Sequence, residues 1–299
     1  MKQISPLTGI CFFKIAEAGS LDHFLQSADY SPLVVQPTAS LISEWFDYGC
    51  IYVDGKRQRI NTRVAADQVV RLHTRHKRYY REASPLGPRI VENNSDFLVL
   101  DKPAGLPTHP TLDNFIENAK VLLERELQTP LYTTHRLDIP TQGLLILAKT
   151  PDAQRLINRL FSLGKVKKIY RSLNARAVPT GMHIHFMDPE SRVPKIVQSE
   201  EIFGWWRCQL RVDQAQKAET GYWHELTLLT GKTHQIRAQM LALGAPIRGD
   251  DTYFVPGEME ADVPLGLECY QLEFSFHAHK YSITRPRSIV EPQLSRARV

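Results

Sequence analysis

The stretch Thr134–Thr150, THRLDIPTQGLLILAKT, frames the rest of the chain. A cation and an anion, Arg136 and Asp138, precede a Pro-Thr-Gln-Gly turn. That turn runs into the apolar segment Leu144-Leu145-Ile146-Leu147-Ala148. A short apolar run between turn residues fits a buried strand or a piece of buried helix. The neighbouring segment settles the choice. In TPDAQRLINRLFSLG, residues 150–164, Ala153, Leu156, Ile157, Leu160 and Phe161 recur at helical spacing. Thr150 is placed to cap, Pro151 suits the first helical position and Gly164 suits the exit. The apolar run is therefore a strand, and Asp138 lies in the loop that leads into it. Taken alone, a loop Asp is more often a turn-former or a cap than a catalyst.

On the N-terminal side, FLVLDKPAGL at 97–106 reads as a short apolar strand that ends in a Pro/Gly loop. Downstream, YWHELTLLT at 222–230 alternates as a strand, and GKTHQIRAQMLALG at 231–244 reads as a helix ending at Gly244. Strands and helices alternate without the regular spacing of a doubly wound fold, which indicates α+β. Near the N-terminus, LDHFLQSA and ASLISEWFDYG show helical spacing. CIYVDGKRQ then alternates and breaks at Asp54-Gly55, a hairpin signal. These features divide the chain into a small basic module at 1–82, a linker at 83–89 (ASPLGPR), a main domain at 90–285 and a basic tail at 286–299. There is no internal repeat.

With 299 residues, 42% of them apolar and 23% charged, the chain has the composition of a soluble globular protein. No apolar run approaches the roughly 18 residues of a membrane helix. The N-terminal segment lacks a cleavage site behind a proper hydrophobic region, so the expectation is a cytoplasmic protein, with no membrane partner. Cys11, Cys50, Cys208 and Cys269 are scattered and indicate neither a disulfide framework nor a zinc ribbon. The net charge of +5 is unevenly spread: nine Lys/Arg between Lys56 and Arg81 face the single acid Asp67. A charge run is ordinarily a solvated face. Interspersed His73 and His76, and the rings of Tyr79-Tyr80, favour a nucleic-acid partner instead.

His135, His234 and the pair His183/His185 match no metal-ligand spacing, and a His-x-His strand is expected to turn those rings to solvent, so no metal is expected. No phosphate-binding loop, dinucleotide fingerprint or nucleophile elbow is present, so no nucleotide or other cofactor is expected. Chemistry is left to carboxylate, guanidinium and phenol.

Three pieces are informative together: HRLDIPTQGLLILAK, then VKKIYRSLNARAV, then LLTGKTHQIRAQMLALGAPIRGDDTY. With VLDKPAGLPTHP before them and LECYQLEFSF after, they resemble the RluA family of pseudouridine synthases, which isomerise uridine in RNA. The resemblance runs from about Arg89 to about Arg285. It implies an α+β catalytic domain with a mixed, largely antiparallel central sheet flanked by helices. It also implies Asp138 as the catalytic carboxylate, Tyr170 as the base-stacking ring, Arg237 as the guanidinium paired with that carboxylate, and Arg136 as the side chain that pushes the base out. The RNA-binding set is Arg136, His135, Lys168, Lys232, Thr233 and His234, with Lys56, Arg57, Arg59 and Arg78 from the basic module. Gln142, Pro140 and Ser172 depart from the family's usual residues; they flank the reacting groups without touching them. GSLDHFL and ISEWFDYGCIYVDGKRQRINTRVAADQVVRL resemble an alpha-L-type RNA-binding module, which adds a small N-terminal α/β unit. The implied partner is structured RNA, ribosomal in preference to transfer RNA, acted on by a monomer.

Such a reaction breaks a glycosidic carbon–nitrogen bond and remakes it as carbon–carbon. It needs an ionised carboxylate in a largely dry pocket, and a neighbouring guanidinium favours the charged form of a buried acid. Two other classes compete. One is an RNA-binding protein on the same fold with catalysis lost. The other is a hydrolase with a carboxylate nucleophile, for which Asp250 or Asp251 would supply the second acid.

Overall fold

The computed structural model describes residues 2–79, 85–259 and 263–286. The chain forms two units, Met1–Ser84 with His109–Arg125, and Pro85–Thr108 with Glu126–Val299. Tyr80, Arg81, the first two linker residues and the tail beyond Pro286 lie outside the described residues.

In the first unit the strands are β1 Lys2–Ser5, β2 Ile10–Lys14, β3 Gly19–Ser20, β4 Ile51–Val53, β5 Lys56–Gln58, β6 Arg63–Val64 and β7 Val69–His73. Five of them form an antiparallel sheet, β1-β2-β7-β4-β5, and β3 pairs with β6. Helices α1, Leu21–Ser27, and α2, Ala39–Tyr48, cover the sheet with Leu21, Leu25, Ile42 and Trp45 against Phe13, Ile51, Val70 and Leu72. The Thr38 hydroxyl caps α2 by accepting from the Leu41 N–H at 3.2 Å, and Gly49 ends it at φ 64°. The hairpin turn falls on Asp54-Gly55, both left-handed (φ 46° and 77°), between paired Val53 and Lys56.

Two expectations need correcting. His109–Arg125 groups with the first unit although it follows the proposed linker, because its backbone is tied there. The Tyr52 hydroxyl donates to Leu112 O (2.8 Å), the Phe115 N–H donates to Tyr48 O (2.7 Å), and the Arg57 guanidinium donates to Thr111 O. The same segment explains why Ile51, Tyr52 and Val53 are buried in succession instead of alternating. Both faces of β4 are covered. His73 is also buried, so it does not belong to a solvent-facing basic surface.

The second unit holds β8 Ile90–Asn93, β9 Phe97–Lys102, β10 Tyr132–Thr133, β11 Gln142–Ala148, β12 Lys167–Asn174, β13 Gly181–Met187, β14 Val197–Gln198, β15 Trp206–Ala218, β16 Gly221–Leu228, β17 Leu267–Phe276 and β18 His279–Thr284. Helix α3, Ala119–Leu127, joins it from Glu126; α4 is Pro151–Ser162 and α5 is Gln235–Ala242. The sheet order is β14-β13-β15-β16-β12-β17-β11-β9-β8, with β10 on β11 and β18 on β17. All its pairings are antiparallel except β11 with β17, so this is the α+β, mixed and largely antiparallel architecture expected. Thr150 caps α4 by accepting from the Ala153 N–H at 3.1 Å, as its position in the sequence indicates. Among the described residues no helix is long and apolar enough to cross a membrane.

Strand β17 sets the geometry that matters most. Cys269 lies opposite Gly143 on β11 and opposite Tyr170 on β12, so one residue registers both neighbours. A Cβ on Gly143 would stand 2.3 Å from Cys269 O, and its φ of 110° is one side chains rarely adopt. Only glycine fits. Gly143→Ala is expected to cost about 3 kcal/mol or more, because the clash is with backbone that cannot step aside. A urea midpoint unchanged from wild type would contradict this close packing.

Candidate active site

Asp138 is fixed through its neighbours rather than through its own carboxylate. The Thr108 hydroxyl donates to Leu137 O (3.0 Å) and accepts from the Leu137 N–H (3.1 Å). On the other side, Ile139 O accepts from the Gly105 N–H (2.8 Å) and from the Lys102 ammonium (3.3 Å). The loop closes with the Thr141 N–H donating to Asp138 O at 3.1 Å. Upstream, the Thr134 hydroxyl donates to Ile146 O and the Ile146 N–H to His135 Nε2, which bind the approach to β11. The loop after β9 is therefore a clamp on the loop that carries Asp138. Lys102, Gly105 and Thr108 belong to no functional motif that the sequence displays. The available signal was a lysine at the end of an apolar strand, followed by Pro-Ala-Gly.

Lys102 is fully buried, and its ammonium also donates to Pro103 O (3.0 Å) and Leu106 O (2.7 Å). Burial pushes its pKa down to about 7, opposed by the charge of Asp138 and reinforced by Arg89. In the unfolded chain a lysine titrates near about 10.4. Between those two values the unfolded chain binds more protons than the folded one, so stability rises with pH across that window. Up to about 1.4 kcal/mol per pH unit is expected. Urea unfolding at pH 7.5 and 9.5 should show this gain in the wild type and lose it in Lys102→Met. Equal slopes would mean that the three carbonyls keep the ammonium charged throughout.

The Asp138 side chain is 16% exposed, and His234 Nε2 lies 3.8 Å from its Oδ1. His234 precedes α5 in a left-handed conformation (φ 56°), which swings its ring off the helix. The Tyr253 oxygen accepts from the Lys195 N–H (2.7 Å) and lies 3.1 Å from His234 Nδ1. With Tyr253 donating its own proton to Nδ1, the Nε2 proton faces Asp138. Burial holds the His234 pKa below the ordinary histidine value, with Asp138 pulling the other way. Tyr170 is buried on β12 beside Cys269. Burial, the Cys269 thiol and then the Asp138 charge push its phenol far up, so it is neutral.

Arg237 departs from the expected pairing. It is buried and makes a two-pronged ion pair with Asp250, Nε to Oδ2 at 2.7 Å and Nη2 to Oδ1 at 2.6 Å, with Asp251 at 3.5 Å. Among the described residues the basic side chain within ion-pair distance of Asp138 is His234. Asp138 still contributes to the electrostatic environment of Arg237. Asp250 also accepts from the Thr252 and Tyr253 N–H groups, so it organises this loop. That occupation removes Asp250 as the second acid of a hydrolase.

The remaining candidates separate into two sets. Arg136 is exposed, two residues before Asp138, with no ion-pair partner among the described residues. Lys232 and Thr233 lead up to His234 and are partly exposed, while burial lowers the Lys168 pKa. His135 is turned inward. Its Nε2 accepts from Ile146, its ring lies 4.7 Å from Phe161, and burial with nearby Lys168 pushes it down to about 3. His185 is likewise buried, 3.0 Å from Gln239 Nε2, contrary to the solvent-facing strand expected. In the first unit Lys56 is exposed, whereas Arg78 is spent on Glu117 at 2.7 Å. Arg57 lies over the ring of Tyr52 and Arg59 over Phe115, at 5.0 and 4.3 Å.

The RNA pseudouridylate synthase family model matches residues 96–242, the span that contains Asp138, Tyr170 and Arg237. The match places residues 96–242 among the RNA pseudouridylate synthases. It is 33% identical over 217 residues to RNA pseudouridine synthase 6, chloroplastic, of Oryza sativa subsp. japonica, covering 64% of this chain and 46% of that protein. It is 29% identical over 260 residues to ribosomal large subunit pseudouridine synthase D of Neisseria meningitidis serogroup B, covering 83% and 69%. The chain spans less than half the length of the chloroplastic relatives it matches. Among solved structures, human RNA pseudouridylate synthase domain containing 1 superposes with a TM-score of 0.56 at 23% identity, over 70% of this chain and 86% of that one. That likeness concerns the family fold.

Proposed function

We propose that this chain converts uridine to pseudouridine in RNA, with Asp138 as the reacting carboxylate and ribosomal RNA as the favoured substrate over transfer RNA. The observation that carries the reading is the clamp on Asp138. Both neighbouring peptides are hydrogen-bonded while the carboxylate lies beside His234 and its charge reaches the buried Tyr170 phenol. A site that holds a carboxylate without using its oxygens leaves them for a substrate.

The target base leaves its stack at a cost of a few kcal/mol. Stacking on Tyr170 returns about 1–3 kcal/mol, and Arg136 fills the vacated place. The N1–C1′ bond breaks, C1′ bonds to C5, and the proton lost from C5 is matched by one gained at N1. No electrons are exchanged with an outside acceptor. The first unit is the RNA-binding module in this reading, contacting phosphates through exposed Lys56.

The test is tritium release from RNA carrying tritium at carbon 5 of uracil, transcribed so that it contains no pseudouridine. Release from large-subunit ribosomal RNA in excess of that from transfer RNA supports both parts. Release from transfer RNA alone overturns the substrate preference. Binding without release from any RNA overturns the reaction.

A further inference from the structure

We propose that Trp206 is a stacking platform for an RNA nucleotide next to the flipped uridine, with the ammonium groups of Lys232 and Lys195 taking the adjoining phosphate. The proposal rests on the reading of the site as a uridine isomerase.

Trp206 opens β15 and is 38% exposed; Phe203, three residues ahead, is wholly exposed. A large ring left open to water at a strand end is commonly a mere surface residue. The cations set this one apart. The Lys232 ammonium lies 4.2 Å from the indole centroid and that of Lys195 lies 5.9 Å away. Neither ammonium has a carboxylate partner among the described residues; Lys195 donates to the Ser191 carbonyl. Two unneutralised ammoniums on one exposed indole do not suit an apolar protein partner. They suit a ligand that brings both a π face and negative charge, which is a nucleotide.

The platform is tied to the reacting group by the chain itself. Lys232 stands two residues before His234, whose Nε2 is 3.8 Å from Asp138, and its N–H donates to Gln235 Oε1 at 3.1 Å, which fixes the loop. Lys195 donates its N–H to the Tyr253 hydroxyl, the group against His234 Nδ1. Two residues of chain reach at most about 7 Å, so the lysine over the indole and the histidine beside Asp138 stand on one short loop. Catalysis itself does not use Trp206. Its effect falls on how RNA is held and on which neighbouring bases are tolerated.

The experiment compares wild type, Trp206→Phe and Trp206→Leu, all full-length, on unmodified ribosomal RNA tritiated at carbon 5 of uracil. Phe keeps a stacking face; Leu keeps apolar cover without one. Stacking losses predict that KM rises about five- to a hundred-fold for Trp206→Leu with kcat nearly unchanged, while Trp206→Phe stays near wild type. In parallel, RNA substituted with 4-thiouridine and irradiated on the wild type should cross-link to the peptide containing Trp206. Unchanged KM in Trp206→Leu, or equal losses in both variants, overturns the platform. Should the wild type release no tritium, the isomerase reading fails on its own. The dissociation constants of the three proteins for the same RNA, with the cross-link, then decide the platform separately.

Discussion

Asp138→Asn is expected to fold like the wild type and to release no measurable tritium from uracil-labelled RNA. The two halves of this expectation have different physical origins. The loop is held by the peptide groups of Leu137 and Ile139 against Thr108, Gly105 and Lys102, and by the Asp138 carbonyl, none of which changes when the carboxylate becomes an amide. The side chain volume is kept as well. What is lost is the charge, and an amide can neither attack nor accept a proton in this reaction. Removing a reacting group of this kind lowers the rate by on the order of 10⁴-fold or more. One electrostatic consequence accompanies it. The charge of Asp138 raises the Lys102 pKa, so its removal lets that ammonium fall below about 7, and the rise of stability with pH starts lower. A rate within a few-fold of wild type would remove Asp138 from the chemistry altogether.

The local parts of this fold were legible because local rules govern them. Thr150, Pro151 and Gly164 bracket α4, and Asp54-Gly55 closes its hairpin, through backbone preferences that act within a few residues. Asp138 was legible as a loop carboxylate before a strand, and the resemblance supplied its role. What stayed hidden depends on contacts remote in sequence. Nothing near Arg237 announces that Asp250 and not Asp138 receives its guanidinium. Nor does anything near Tyr52 show that residues from 109 onward cover its sheet face. Gln142 is another instance. It departs from the family's usual residue, and its side-chain carbonyl accepts from Arg285 at 3.0 Å within a cluster of Arg285, Asp101 and Glu268. That cluster joins β9, β11 and β17 behind the site, and only the sheet order brings its members together.

The buried pair Arg237–Asp250 supports the second large expectation. Both side chains are almost wholly enclosed, and Asp250 also receives two backbone N–H groups. Removing one partner leaves the other charge buried without compensation, which costs about 3–5 kcal/mol. Arg237→Met and Asp250→Asn should each lower the unfolding free energy from urea titration by that order. The double variant Arg237→Met/Asp250→Asn should recover much of the loss, because no uncompensated charge remains. Activity discriminates between the two roles open to Arg237. If its task is to hold Asp250, and through it Tyr253 and His234, the recovered double variant regains tritium release along with stability. If its charge is needed at Asp138, whose field it shares, the double variant stays stable and inactive. The second outcome is the expected one. A guanidinium that never loses its proton, held rigid by Asp250 near the reacting carboxylate, supplies a fixed positive potential that no neutral side chain replaces. Recovery of activity in the double variant would reassign Arg237 from the chemistry to the scaffold.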